Sequence, residues 1–402
     1  MSSFHFREYQ NDIIEKGIKQ LYVRGWCYLS MEVRTGKTFT SLGIASKSKC
    51  KDVLFITKKK AIPSVESDIK TLGADMNVTV INYESLHKVN GKYDCYIIDE
   101  AHRLGGFPKP SKTVKQLIPM IGIKDKVIFL SGTPTPESNA QVFHQMKVLG
   151  NKSPFDEKSF YKWAGRWCTI KEKYFGHGYP VKDYSHCNFN IKDLEFLSYS
   201  QKEAGFKNEI REHFVKVEMK PITKTIIETL KKDKVFAGST NFILADTSVK
   251  EMQKIHQLSS GTCILDDPRE SITIDTTKVE YIKNAFKNRK IAIFYKFKQE
   301  LEMLKDHLDI TENLDEFNNT DKSIALQFVS GREGIKLDKA DCIVAINIDF
   351  SATTYFQFRD RMTTIDRQYS DVFYIVSDCG IEMQVYKAVS KKKNYTLQYY
   401  NR

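Results

Sequence analysis

No stretch of the 402-residue sequence approaches 20 uninterrupted apolar residues, so nothing in it reads as a membrane-spanning helix. Its opening, Met1-Ser2-Ser3-Phe4-His5-Phe6-Arg7, lacks the apolar core of a secretory signal. Together these absences lead to the expectation of a cytoplasmic protein, neither secreted nor membrane-inserted. None of the eight cysteines forms a C-x-x-C pair, and Cys95 and Cys342 lie inside apolar runs, as reduced core thiols do. Cys168, His177, His186 and Cys187 invite a metal reading, but neither ligand pair has zinc-finger spacing. There is no short-period repeat and no excess of acid. Instead 62 Lys and Arg stand against 50 Asp and Glu, a net charge of +12, which suits a polyanionic partner without choosing DNA over RNA. A hydrophobic content of 41% is ample for a packed core and excludes disorder as the main state, and the length allows two or three domains.

The most informative stretch is Cys95-Tyr96-Ile97-Ile98-Asp99-Glu100-Ala101-His102. An apolar run ending in paired acids and a histidine fits a buried parallel strand that delivers charge to its C-terminal edge. There Asp99 is suited to hold Mg²⁺ through water, Glu100 to polarise a water attacking a γ-phosphate, and His102 to report nucleotide state to a neighbouring element. The alternative is an ordinary strand followed by a solvated acidic turn.

A second signal lies upstream. The apolar Trp26-Cys27-Tyr28-Leu29-Ser30 leads into Met31-Glu32-Val33-Arg34-Thr35-Gly36-Lys37-Thr38 and then a helical run. Strand, Gly-Lys-Thr and helix in that order form a phosphate cradle, with Lys37 reaching the β and γ groups and Thr38 ligating Mg²⁺. Met31 departs from the strict pattern by standing where the first glycine belongs. Residues 4–22 read as a helix with Tyr9-Gln10 near its start, and a glutamine at a pocket mouth can both donate to and accept from an adenine edge.

Around these motifs strands and helices alternate. Val53–Thr57, Val78–Tyr83 and Val127–Leu130 read as strands, with a helix starting near Pro63, which argues for a parallel sheet wrapped by helices. Lys58, Lys59 and Lys60 follow a strand end, placed either as a solvated loop or to meet a phosphate backbone. Residues 151–220 are rich in aromatics and lysine, which fits a small aromatic core more readily than base stacking. From Pro221 the alternation resumes with helices at 222–232, 249–258 and 278–286. Strands follow at Ile291–Tyr295, Ile324–Val329, Cys342–Asn347 and Phe373–Val376, without a second phosphate loop.

Taken in order, these segments resemble the superfamily 2 helicases and translocases, in particular the Swi/Snf-like DEAH-box branch in a compact, phage-like form. The resemblance covers most of the chain. Tyr9-Gln10 is similar to the adenine-reading element, Thr35-Gly36-Lys37-Thr38 to motif I, Asp99-Glu100-Ala101-His102 to motif II and Ser131-Gly132-Thr133-Pro134 to motif III. Phe294-Tyr295-Lys296-Phe297 resembles motif IV, Ser330 to Leu337 with Ala340-Asp341 motif V, and Gln357-Phe358-Arg359-Asp360-Arg361 motif VI.

The resemblance implies an α/β protein of two RecA-like lobes, each a mainly parallel sheet flanked by helices. Lobe 1 would span 1–150, an aromatic and basic accessory segment and linker 151–220, and lobe 2 221–402. It implies an ATP hydrolase using ATP and Mg²⁺. Gln10, Thr35, Gly36, Lys37, Thr38, Asp99 and Gly334 would bind nucleotide, with Thr38 and Asp99 also on the metal. Glu100, Gln357 and Arg361 would serve catalysis, His102, Ser131 and Thr133 coupling, and Lys58, Lys59 and Lys60 nucleic acid. One departure concerns motif VI: the family's second arginine falls at Thr364, with Arg367 three residues further on. If Gln357 to Arg367 is one helix, Arg367 either replaces that arginine or caps the helix end. The implied partner is DNA, duplex or branched before single-stranded. RNA-directed action and service as the motor subunit of a restriction or repair machine are the alternatives, and protein partners are unspecified. A non-hydrolysing binding module is the reading that the intact Lys37, Asp99 and Glu100 oppose.

Overall fold

The computed structural model describes the chain except residues 1–4, 174–179, 206, 239–241, 267–268, 329–334, 336, 365–366, 392 and 401–402. Contacts divide the chain into two compact units, 1–206 and 207–402.

In the first unit, helix α1 (Glu8–Arg24) buries Gln10, Ile13, Ile14, Gly17 and Leu21 along one side and stops at Gly25, whose φ of 77° is left-handed. The strands β1 (Trp26–Met31), β2 (Asp52–Thr57), β3 (Asn77–Asn82), β4 (Cys95–Asp99) and β5 (Lys126–Leu130) follow. An antiparallel hairpin, β6 (Lys171–Lys173) with β7 (Val181–Asp183), precedes a short strand, β8 (Leu197–Tyr199). The sheet order is β3-β2-β4-β5-β1-β8, with every pairing parallel. Helices α2 (Lys37–Lys47) and α3 (Ile62–Leu72) connect β1 to β2 and β2 to β3. Burial on both faces explains the continuous apolar runs: Cys95, Tyr96, Ile97 and Ile98 are all in the core. Each large side chain so buried is worth about 1.5–3 kcal/mol relative to exposure, so a charge at Ile97 would break the sheet at its centre. Because the strands are parallel, Met31, Thr57, Asp99 and Leu130 all end at one edge. The register pairs Asp99 with Leu130, which sets Glu100 and His102 beside Ser131.

The aromatic segment contributes to this core. Phe155, Phe160, Trp163 and Phe189 are buried, and Phe143 contacts the first three at ring-centroid distances of 5.5–5.8 Å. The core reading of these aromatics is therefore what the geometry shows. Tyr174, Phe175 and His177 lie outside the described residues, and no cluster of potential metal ligands occurs among the described ones.

The second unit begins with β9 (Glu209–Val217), which pairs in parallel with β18 (Tyr369–Ser377) along nine residue pairs. Between them come two antiparallel hairpins, β10 (Val235–Ala237) with β11 (Phe242–Leu244) and β12 (Thr262–Ile264) with β13 (Ser271–Thr273). The parallel strands β14 (Ile291–Tyr295), β15 (Ile310–Thr311), β16 (Ser323–Gln327) and β17 (Cys342–Ala345) complete the sheet β15-β16-β14-β17-β18-β9. Helices fill the connections, including Pro221–Asp233, Ser248–Leu258, Thr277–Ala285 and Ala352–Arg359. The stretch expected as one accessory segment, 151–220, is shared: β8 extends the first sheet and β9 the second. Two six-stranded parallel sheets flanked by helices make the molecule an α/β protein of two RecA-like lobes. Among the described residues no helix is long and apolar enough to cross a membrane.

Candidate nucleotide-binding site

The phosphate loop runs from the end of β1 to the start of α2. Met31 is the last residue of β1, fully buried and paired with Tyr199, so the first position of the loop needs no glycine here. The left-handed turns come later, at Arg34 (φ 63°) and Gly36 (φ 80°). A Cβ on Gly36 would stand 2.4 Å from Gln10 Nε2, which reserves that position for glycine. Thr35 is buried, and its hydroxyl donates to the Glu32 carbonyl at 2.8 Å, closing the loop. Lys37 Nζ donates to the Met31 and Glu32 carbonyls at 2.9 and 3.0 Å. Thr38 follows it in the first turn of α2, half-buried.

Gln10 is buried and fixed to this loop. Its Oε1 accepts from the Arg7 main-chain N–H at 3.0 Å, while Nε2 lies 3.4 Å from both the Gly36 carbonyl and the Thr40 hydroxyl. Its neighbour Tyr9 donates to the Thr35 carbonyl at 2.9 Å and stacks on Tyr199 with ring centroids 4.3 Å apart.

Motif II occupies the adjoining strand end. Asp99 Oδ2 accepts from the Thr57 hydroxyl at 2.7 Å and Oδ1 from the Glu100 N–H at 3.0 Å, while the Tyr83 hydroxyl donates to the Asp99 carbonyl. Burial, and after it the neighbouring Glu100 charge, pushes the Asp99 carboxyl up to about 6, against the opposing pull of Thr57, Lys37 and Lys58. Glu100 takes the left-handed conformation (φ 53°), which turns the chain sharply into the 3₁₀ turn Ala101–Leu104. His102 Nδ1 then lies 3.3 Å from Glu100 Oε2 and 3.0 Å from Ser131 Oγ. Ser131 Oγ also accepts from the Thr133 N–H at 3.1 Å. The predicted coupling residues therefore form one continuous chain from the acidic pair to motif III. Sequence reasoning missed the residues that brace it. Buried Gln145 donates to the Pro134 carbonyl at 2.8 Å and accepts from Tyr28 at 2.7 Å.

The lysine triplet divides. Lys58 is half-buried and acts on the charge of Asp99, whereas Lys59 and Lys60 are exposed in the 3₁₀ turn before α3.

In the second lobe, motif VI does not form one helix through Arg367. The helix Ala352–Arg359 gives way to a 3₁₀ turn at Asp360–Met362, and Thr363 is extended (φ −63°, ψ 120°). Two successive β-branched residues, Thr363 and Thr364, suit that extended exit. Buried Gln357 lies on the helix, its Oε1 without a hydrogen-bond partner among the described residues. Arg361 Nη1 donates to the Ile335 carbonyl at 3.3 Å, and the Leu337 N–H donates to the Arg361 carbonyl at 3.2 Å, tying motif VI to motif V. Arg367 Nη2 donates to the Ala340 carbonyl at 2.7 Å and lies 3.5 Å from that of Asp338. Gly334, with 330–333 and 336 of motif V, lies outside the described residues.

No family model matches the sequence, and no curated protein matches it. Among solved structures, the Pyrococcus furiosus Hef helicase domain is similar at 13% identity and a TM-score of 0.52, with 96% of this chain and 98% of that one covered. The chain shares the fold of that domain. Also similar are the Sulfolobus solfataricus SWI2/SNF2 ATPase core in complex with dsDNA (15% identity, TM-score 0.43, covering 97% of this chain and 91% of that one) and the ATP-dependent Type ISP restriction-modification enzyme LlaBIII bound to DNA (15%, 0.49, 94%). The last match spans only 28% of LlaBIII.

The residues at this edge fit Mg-ATP. A left-handed loop entering a helix N-terminus, with a lysine spanning its mouth, suits polyphosphate. Asp99 and Glu100 crowd two carboxyls into a partly buried corner, and a divalent cation held by Asp99 and Thr38 would relieve the strain that raises the Asp99 pKa.

Proposed function

We propose that the chain is a DNA-dependent ATPase acting as a helicase or duplex-DNA translocase. The observation that carries this reading is the Glu100–His102–Ser131 chain beside the phosphate loop, which joins the Glu100 carboxylate to Ser131 within one lobe. Bound Mg²⁺ would neutralise phosphate charge. Lys37 would swing from the loop carbonyls to the β and γ phosphates, and the loop amides would hold the polyphosphate against the start of α2. Glu100 would orient the attacking water and accept its proton, with His102 passing the state of that carboxylate to Ser131 and Thr133. Arg361 is the proposed donor to charge developing on the γ-phosphate in the transition state. Arg367, already spent on loop carbonyls, would hold motif V in place.

The net charge of +12 supports a nucleic-acid track, and exposed Lys59 and Lys60 are its proposed contacts in the first lobe. Duplex or branched DNA is the favoured ligand. The test is ATP turnover of the full chain against single-stranded, duplex and forked DNA and against RNA. Strongest stimulation by duplex or forked DNA is expected. Stimulation by RNA alone would make the protein an RNA-directed enzyme, and turnover indifferent to every ligand would contradict the motor reading.

A further inference from the structure

Two half-buried cysteines of the first lobe face each other across the backbone. Cys168 directly follows the helix Phe160–Trp167, and Cys187 lies just beyond β7. The Thr169 N–H donates to the His186 carbonyl at 2.8 Å and the Asn188 N–H to the Trp167 carbonyl at 2.7 Å. Cys168 and Cys187 are therefore an isolated antiparallel pair, flanked by two hydrogen bonds and sharing none between their own main chains. Pairs of this kind bring Cα atoms to about 4.5 Å, the closest approach an antiparallel ladder offers, and a disulfide spans Cα separations of about 4.4–6.8 Å. Both thiols are free, and they share a hydrogen bond. His186 belongs to the next pair along, with Thr169, where side chains turn to the opposite face.

The surroundings hold this geometry in place. The Ser138 hydroxyl donates to the Ser185 carbonyl at 2.7 Å and Asn139 Nδ2 to the Phe189 carbonyl at 3.0 Å. Buried Phe189 packs edge-on against Trp167, with ring centroids 5.2 Å apart. The chain on either side of Cys187 is thus tied down, and a bond to Cys168 needs little backbone movement. Cys50 and Cys95 also share a hydrogen bond, but at 2% and 0% exposure they are out of reach of an oxidant.

We propose that Cys168 and Cys187 are a redox modification site, oxidised to a reversible disulfide by a low-molecular-weight disulfide, so that the base of the β6–β7 hairpin is locked to the aromatic core. The site is independent of the ATP reading. Burial, and after it the charge of Cys187 and the hydrogen bond to it, pushes the Cys168 thiol up to about 12. Burial raises Cys187 as well, but the Phe189 main chain and the Cys168 thiol pull it back, so Cys187 is the first nucleophile. Its thiolate attacks one sulfur of the oxidant RS–SR, whose S–S bond breaks and releases RS⁻. The Cys168 thiolate then attacks the Cys187 sulfur of the mixed disulfide and releases the second RS⁻. The two cysteines lose two electrons and two protons, and the oxidant leaves as two RSH.

The test incubates the reduced full chain at pH 8 with oxidised and reduced glutathione in graded ratios, followed by alkylation and peptide mass spectrometry. One intramolecular disulfide, Cys168–Cys187, is expected, formed more completely as the ratio rises and reversed by dithiothreitol. Half-buried Cys379 should carry at most a glutathione adduct. Cys168→Ser should trap glutathione on Cys187, and Cys187→Ser should hold about tenfold less on Cys168. Hydrogen exchange in 167–173 and 180–189 should slow about threefold or more in the oxidised protein. Lasting glutathione adducts without the cross-link, both thiols still reduced at the most oxidising ratio, or a Cys50–Cys95 bond in its place would overturn the site. Unchanged exchange in the cross-linked protein would overturn the lock.

Discussion

His102 Nδ1 lies 3.0 Å from the Ser131 hydroxyl, across the register that pairs β4 with β5. The same nitrogen is 3.3 Å from the Glu100 carboxylate, so one imidazole bridges Glu100 and Ser131. Ser131→Ala removes the far end of this chain without touching the acids. It should lower DNA-stimulated kcat about tenfold, a loss of about 1.4 kcal/mol, while basal turnover and ATP affinity change little. Steady-state kinetics with and without duplex DNA checks this, and an equal fall in basal and stimulated rates would place Ser131 outside the coupling path.

The lysines after β2 should separate by function. Lys59→Ala with Lys60→Ala should weaken DNA binding and reduce its salt dependence, because two exposed charges leave the track, with basal ATPase preserved. Lys58→Ala should alter basal ATPase as well, since Lys58 acts on the charge of Asp99. Binding isotherms at several salt concentrations, read beside basal turnover, distinguish the two.

Motif VI yields a contrast between arginines. Arg361→Ala should lower kcat about a hundredfold or more with little change in ATP affinity, as expected for a donor used in the transition state. Arg367→Ala should cost stability instead, about 1–2 kcal/mol, because it deprives the Ala340 carbonyl of its charged donor. Thermal melting and kcat measured on both variants decide the assignment. A large kcat loss in Arg367→Ala at unchanged stability would make it the substitute for the arginine absent at Thr364.

Much of this was legible in the sequence because the inner strands are buried on both faces and read as apolar runs, as with Val53–Thr57 and Cys95–Ile98. Motif spacing then placed Lys37, Asp99, Glu100, His102 and Ser131 at one edge of a parallel sheet. Among the edge strands β3 was legible, as Val78–Tyr83, but β8 and β9 were not. Leu197–Tyr199 is three residues long, and Glu209–Val217 alternates charged with apolar residues in a stretch that composition marks as linker. The hold of Gln201 on the phosphate loop, by its main-chain N–H to Glu32 Oε2 and its Nε2 to the Val33 carbonyl, left no trace in motif spacing, since each of its two bonds has a main-chain group at one end. The break after Arg359 was hidden because Gln357 to Arg361 has helical composition, and the exit depends on the two threonines that follow.

The raised pKa of Asp99 has a consequence for the nucleotide-free protein. A carboxyl whose folded pKa, about 6, exceeds its unfolded value favours folding when protonated and disfavours it when ionised, so its cost grows as pH rises from about 4 and is complete above 6. Asp99→Asn removes the charge and should stabilise the chain at pH 8, with the gain vanishing near pH 4. Melting curves of the two proteins across that range, without metal or nucleotide, check the sign. A difference independent of pH would show that Asp99 carries no such burden.

The central claim is that Glu100 orients the water that hydrolyses ATP at a site built by Lys37, Thr38 and Asp99. The most direct measurement compares AMPPNP binding and single-turnover ATP hydrolysis in wild type and Glu100→Gln, with duplex DNA saturating. Unchanged affinity with hydrolysis slowed about a hundredfold or more is the predicted result, and hydrolysis at the wild-type rate in Glu100→Gln would contradict it.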